Sequence, residues 1–191
     1  LQSTYTWARG FLWQELNLLQ RAKTDHAVAI SLALQSHAGD SLPRLQADFA
    51  ISQLRLGNLE VGHELQFALT RAVNHRMEIH ATRCLEGLAE LALAKGEPHQ
   101  ALAYAEQLWE LAETYDLREI LARALRWRGE ALLTLEQFET AATALHQALE
   151  MAELYGRIRL VWQIHAVLAR LYRAQKQEEK ASEHEGQVQK I

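Results

Sequence analysis

Residues 121–152, LARALRWRGEALLTLEQFETAATALHQALEMA, decide how the whole chain is to be read. In the first half, Leu121, Ala124, Leu125, Leu132 and Leu135 fall at three- and four-residue steps, which line one face of a helix. Glu136 and Gln137 make a short polar turn. Phe138, Ala141, Ala142, Leu145, Ala148, Leu149 and Ala152 then repeat the pattern on a second helix. The stretch is a helical hairpin with a small residue on each arm, Gly129 and Ala141, where two helices can approach closely. The same pair recurs along the chain. Gly62, Ala101, Ala141 and Ala181 are 39, 40 and 40 residues apart, and Ala50, Ala89, Gly129 and Ala169 each lie twelve residues before them. A fixed period in this range marks a solenoid, whose units bury their apolar faces only by stacking on neighbours.

The preceding hairpin runs from Ile79 to Ala94 and from Ala101 to Ala112. Its turn, Lys95-Gly96-Glu97-Pro98, has a glycine to end one helix and a proline to begin the next. An earlier turn falls at Leu56-Gly57-Asn58, and the last hairpin pairs Leu160–Ala174 with a polar helix from Gln177 to Ile191. Upstream, Trp7–Ala22 and Ala27–His37 read as a degenerate hairpin, with Asp25 expected to cap its second helix. The strongest break is Ala38-Gly39-Asp40-Ser41-Leu42-Pro43, too short to separate domains. The expected architecture is an all-α, right-handed superhelical solenoid of about five hairpins. Residues 1–41 form the degenerate hairpin, and residues 42–191 four hairpins of one continuous domain. The chain begins without methionine and stops within helical sequence, so it is expected to be a piece of a longer protein.

Composition narrows the functional classes. The 191 residues carry 20 Lys and Arg against 24 Asp and Glu, a formal charge of −4, which argues against nucleic-acid binding by this segment. No apolar run approaches the roughly 20 residues of a membrane span, and no signal peptide is evident. The single cysteine, Cys84, cannot form an internal disulfide, and a cytoplasmic setting is expected. The nine histidines include no H-x3-H or H-E-x-x-H pair, so no metal or other cofactor is expected. Without a phosphate loop or a serine–histidine–acid arrangement, the chain is not expected to be an enzyme.

These residues resemble the tetratricopeptide repeat. Its first helix carries an aromatic–x2–Leu–Gly–x2–Tyr pattern, matched by Leu168-Ala169 with Tyr172 and half-matched by Leu88-Ala89. Arg128-Gly129 departs from it by placing a charge where the family prefers leucine. The 40-residue period exceeds the usual 34, and the extra residues fall in Ala112-Glu113-Thr114-Tyr115 and Ala152-Glu153-Leu154-Tyr155. Elongated repeats of this kind are similar to the sensor region of maltose-activator-type, ATP-dependent LuxR-family transcription regulators. Kinesin light chain and Rap-type proteins use similar lengths. The resemblance implies a sensor or scaffold segment of a bacterial regulator whose partner is a protein, a peptide or a neighbouring domain. A homodimer, a sugar- or metabolite-binding effector domain and a purely structural solenoid stand as alternatives.

In such repeats the start of each first helix faces a concave groove, so the resemblance would place Arg44, Arg83 and Arg123 along one wall. Arg126, Arg170 and Arg173 fall on the same expected face, with Glu86, Glu90 and Glu130 between them. Two readings compete: a mixed-charge groove for an acidic or phosphorylated ligand, or ordinary ion pairs three and four residues apart, such as Arg83 with Glu86 and Arg126 with Glu130. Trp127, opposite Leu125 on its helix and flanked by Arg126 and Arg128, is expected to be partly exposed. Cys84, beside Arg83, is read as a small packing residue.

Overall fold

The helices are closed by a device that repeats at half the hairpin period. Asn17, His37, Gly57, Arg76, Gly96, Asp116, Glu136, Gly156 and Lys176 all have positive φ and lie 19 or 20 residues apart. Each ends a helix in the left-handed conformation. The next residue's N–H then reaches back to a carbonyl of the last turn, as in Leu18 to Trp13 (2.8 Å), Asn58 to Gln53 (3.0 Å), Gln137 to Leu132 (2.9 Å) and Gln177 to Tyr172 (2.9 Å). Six of the nine are not glycine, their φ values lying between 50° and 59°.

The computed structural model describes residues 2–190, so the end of the expected last helix at Ile191 lies outside them. Between these turns run ten α-helices, and the described residues contain no strand. They are α1 (Gln2–Glu15), α2 (Leu19–Gln35), α3 (Leu42–Arg55), α4 (Gly62–Asn74), α5 (Glu78–Ala94), α6 (Pro98–Thr114), α7 (Arg118–Thr134), α8 (Phe138–Leu154), α9 (Ile158–Ala174) and α10 (Glu178–Lys190), with a 3-10 turn at Gly39–Ser41. Pro43 and Pro98, the chain's two prolines, occupy the first turns of α3 and α6, where a missing N–H costs nothing. The segments 112–115 and 152–155 are the last turns and caps of α6 and α8. The period therefore exceeds 34 because the helices are long.

Two compact units divide the chain, Leu1–Lys95 and Gly96–Ile191. In the first, α1 packs on α2, α2 on α3, α3 on α4 and α4 on α5; α3 also meets α5 and α1 directly. In the second, α6 packs on α7 and so on in order to α10, and α7 also meets α9. Successive first helices therefore lie side by side within each unit.

The small residues of the repeat are buried, except Gly62, which is half-buried. Ala50, Ala89, Ala101, Ala141 and Ala181 are fully covered. At Gly129 a Cβ would lie 2.5 Å from Leu145 Cγ, so α7 and α8 touch there through the glycine. The second unit's core gathers Leu125, Leu132, Leu145, Ile164, Leu168 and Leu171 around these contacts. In the N-terminal hairpin the expected boundary fails. The second helix starts at Leu19, so Asp25 lies inside α2, buried, and caps nothing. It accepts two hydrogen bonds from Arg9 (2.6 and 2.7 Å) and one from Trp13 Nε1 (3.1 Å).

Candidate functional site

In the first unit the wall made by α1, α3 and α5 is tied together by a buried polar network. At its centre is Asp48, fully covered on α3, which accepts from Trp7 Nε1 at 2.7 Å and from Arg83 Nε at 2.6 Å. Arg83 also donates to Glu86 Oε2 at 2.8 Å and to Gln14 Oε1 at 3.0 Å. Gln14 then donates to Ser52 Oγ at 3.1 Å, and the Ser52 hydroxyl donates to the Asp48 carbonyl at 2.9 Å. His26 Nδ1 lies 3.1 Å from Ser52 Oγ. With the serine proton committed to Asp48, Nδ1 must carry the hydrogen of that contact, which assigns the tautomer.

Electrostatics follow the same map. Burial works against the Arg83 cation, but Asp48 and Glu86 outweigh it and its pKa is raised. Burial also opposes the Asp48 carboxylate, yet Arg83 and the bond from Trp7 hold it below the usual range. Burial pushes His26 below the ordinary histidine value, so it sits neutral in the network. Arg83 is therefore committed within the fold. Arg44, further up α3, lies with its guanidinium carbon 4.5 Å from the Trp7 ring centroid. Glu90 forms a two-pronged pair with Arg55 at 2.7 and 2.9 Å. The four expected groove residues of this unit, Arg44, Arg83, Glu86 and Glu90, thus lie on adjacent helices, α3 and α5, engaged with protein groups.

The second unit is built differently. Arg123, Arg126, Trp127 and Glu130 lie on α7, Arg170 and Arg173 on α9, and Glu130 and Arg170 occupy equivalent repeat positions. Arg126 bonds Glu130 one turn along its own helix. Its guanidinium carbon stands 3.6 Å from the Trp127 ring centroid, a stacked cation–π contact. Trp127 is 6% exposed, which corrects the expected partial exposure: Arg126 lies over its ring and α7 turns the indole inward. Arg128 reaches back to Glu106 of α6 at 3.1 Å. Arg170 is exposed, and Arg173 pairs with Glu185 at 2.6 Å and Glu178 at 3.7 Å, both on α10.

Cys84 is fully buried, and burial pushes its thiol up to about 12, which fits a packing residue and not a nucleophile. The described residues hold no group of three or more His, Cys, Asp or Glu side chains arranged to bind a metal ion. None of the described helices is long and apolar enough to cross a membrane. An open cleft of about 390 Å³ lies between α1 and α2, lined by Arg9, Trp13, Gln20, Arg21, Thr24 and Asp25. Its carboxylate is occupied by Arg9 and its indole lies under Arg21, 5.2 Å from the ring centroid.

Two features were missed in the sequence. Asp48 sits among the apolar positions of α3, between Leu45 and Ile51, and a charge in that phase signals a buried partner. His146, His165 and His184 converge in the second unit. Their spacing of 19 and 19 residues, one helix plus one turn, was the available signal.

No family model matches the chain, and no curated protein matches its sequence. Its structure, however, resembles several solved proteins. The apo form of RapI matches at a TM-score of 0.72 and 14% identity, over 96% of this chain and 68% of that one. A Rap protein complexed with competence and sporulation factor matches at 0.87 and 14%, over 99% of this chain and 53% of that one. A Podosopora anserina protein of nearly identical kinesin-light-chain TPR-like repeats matches at 0.65 and 18%, over 99% of this chain and 95% of that one. The likeness establishes the fold: this is an all-α protein of tetratricopeptide-like helical repeats. The chain spans about half the length of the Rap protein in the complex.

Proposed function

We propose that this chain is a protein- or peptide-binding module, a sensor or scaffold segment of a larger cytoplasmic bacterial regulator, and that it acts by binding and not by catalysis. The observation that supports this most is the Rap complex, in which a protein of the same fold holds a competence and sporulation factor. The surface best suited to the task is the α7–α9 wall. There Arg126 and Glu130 form a pair 11% and 14% exposed at the side chains, with the exposed Arg170 at the equivalent position on α9. A ligand carboxylate can replace Glu130 at Arg126 and exchange one charge-assisted bond for another. The α1–α2 cleft favours a small-molecule effector less, because its polar groups are already partnered.

The test is fluorescence anisotropy with a labelled pool of acidic, extended decapeptides. Arg123→Ala combined with Arg126→Ala is expected to weaken binding about tenfold or more, with affinity falling as salt rises. Unchanged affinity in the double variant would remove the α7 wall from consideration.

A further inference from the structure

Three consecutive helices of the second unit each bring one histidine to a common point: His146 on α8, His165 on α9 and His184 on α10. The Nδ1 atoms of His165 and His184 face each other at 2.8 Å. At that distance one nitrogen donates and the other accepts, so the pair holds with one proton between the facing atoms. A second proton would set two N–H groups head to head and place two cations against each other. The ring of His184 also lies stacked on Tyr172, with centroids 5.4 Å apart and an interplanar angle of 2°. His146 stands 6.3 Å from His184 and bonds the Tyr172 hydroxyl through Nε2 at 2.9 Å.

Little apolar surface holds α10. Ala181 is its one fully buried apolar side chain among the described residues, Val188 is half-buried, and the remaining side chains are polar. Seating therefore depends on the histidine contacts, the Arg173 pairs with Glu178 and Glu185, and Lys180, whose ammonium lies 5.1 Å from the Tyr172 ring centroid.

We propose that His165 and His184 form a proton-operated latch that seats α10 on α9 at neutral pH and releases it on mild acidification, uncovering the Tyr172 face of α9. From α8, Glu153 favours the His165 cation and His146 opposes it; on α10, Glu183 favours the His184 cation while His165 and His146 oppose it. Burial is the largest influence on both rings and pushes both below the ordinary histidine value. A group whose pKa is lowered in the docked state stabilises docking while both states are neutral. That contribution is lost as the pH falls below about 6.5 towards the docked-state values. Acid therefore opens the latch.

The experiment is hydrogen–deuterium exchange on the full chain at pH 7.5 and 5.5, with protection factors corrected for intrinsic rates at each pH. The expected result is at least a tenfold loss of protection in α10 between the two conditions, with α7 and α8 changing less than threefold. Unchanged protection of α10, or an equal loss over every helix, would overturn the latch. His184→Phe keeps a ring on Tyr172 and cannot titrate, so its α10 is expected to stay protected at pH 5.5. Release of α10 in that variant as in the wild type would equally refute the proposal. If His184→Phe fails to seat α10 at pH 7.5, His165→Gln, which keeps a hydrogen bond to His184, is judged by the same criterion.

Discussion

Replacing Arg83 with methionine tests whether the first unit is held by its buried network. Arg83 is 14% exposed, and its partners Asp48 and Glu86 are 0% and 5% exposed at the side chain. Methionine fills much of the volume but leaves two carboxylates in an apolar seam without their cation. Breaking a buried pair from one side costs about 3–5 kcal/mol, because the remaining charge is stranded. With two carboxylates stranded, Arg83→Met is expected at the upper end, about 4–5 kcal/mol. Asp48→Ala is expected near about 3 kcal/mol, since Arg83 keeps Glu86 and Gln14. Urea unfolding followed by circular dichroism and by intrinsic tryptophan fluorescence measures both. The pH dependence separates this account from simple loss of packing. In the wild type Asp48 is held below the usual carboxylate range, so its stabilisation is present at neutral pH and is lost only as the pH falls below that range towards the lowered value. In Arg83→Met burial loses its main opponent, the bond from Trp7 remaining, and raises the Asp48 pKa, so protonation relieves the variant. Its deficit should therefore narrow from pH 7 to pH 5. A deficit below about 1 kcal/mol, equal deficits at both pH values, or a larger loss in Asp48→Ala would refute the reasoning.

Three further outcomes are expected. Gly129→Ala gains about 1 kcal/mol of helix propensity but drives a Cβ to 2.5 Å from the buried Leu145 Cγ, at a cost of about 1–3 kcal/mol. It should lower the melting temperature, whereas Gly186→Ala, with open space at its Cβ, should leave it unchanged or raise it. Glu136→Gly removes a non-glycine residue from φ 58° and should stabilise by about 0.5–1 kcal/mol in urea titrations, the strain relieved exceeding the entropy added to the unfolded chain. A thiol pushed from 9.0 to about 12 holds about a thousandfold less thiolate at neutral pH. Cys84 should therefore react with a disulfide reagent only as the chain unfolds, and prompt labelling of the folded protein would contradict its burial.

The repeat was legible because small residues cannot be replaced where helices touch, and that constraint leaves a periodic trace in the sequence. Gly129 and Ala141 show it at a single hairpin. The half-period in the turns was less visible, because the left-handed position accepts Asn, His, Arg, Asp, Glu and Lys as well as glycine, so composition does not mark it. The ion pairs within one helix, Arg83 with Glu86 and Arg126 with Glu130, followed from spacing. The network did not, since Arg83 meets Gln14 across 69 positions and Asp48 across 35. Trp127 was misjudged because its arginine neighbours suggested a solvated face, whereas the Arg126 guanidinium covers the ring.

The two walls differ in where their polar bonds lead. In the first unit Trp7–Asp48, Arg83–Asp48 and Arg83–Gln14 join α1, α3 and α5, so these three bonds each fix one helix relative to another. A ligand that competed for Arg83 would have to strand Asp48, at the cost of a broken buried pair. On α7 the bond of Arg126 returns to its own helix. Displacing Glu130 there breaks no hydrogen bond between helices. Ligand exchange is thus cheap at α7 and expensive at α5. Arg126→Ala should accordingly weaken binding and lower stability by less than Arg83→Met, since it leaves one partly covered carboxylate unpaired and not two buried ones; Arg83→Met should leave binding at the α7 wall unchanged.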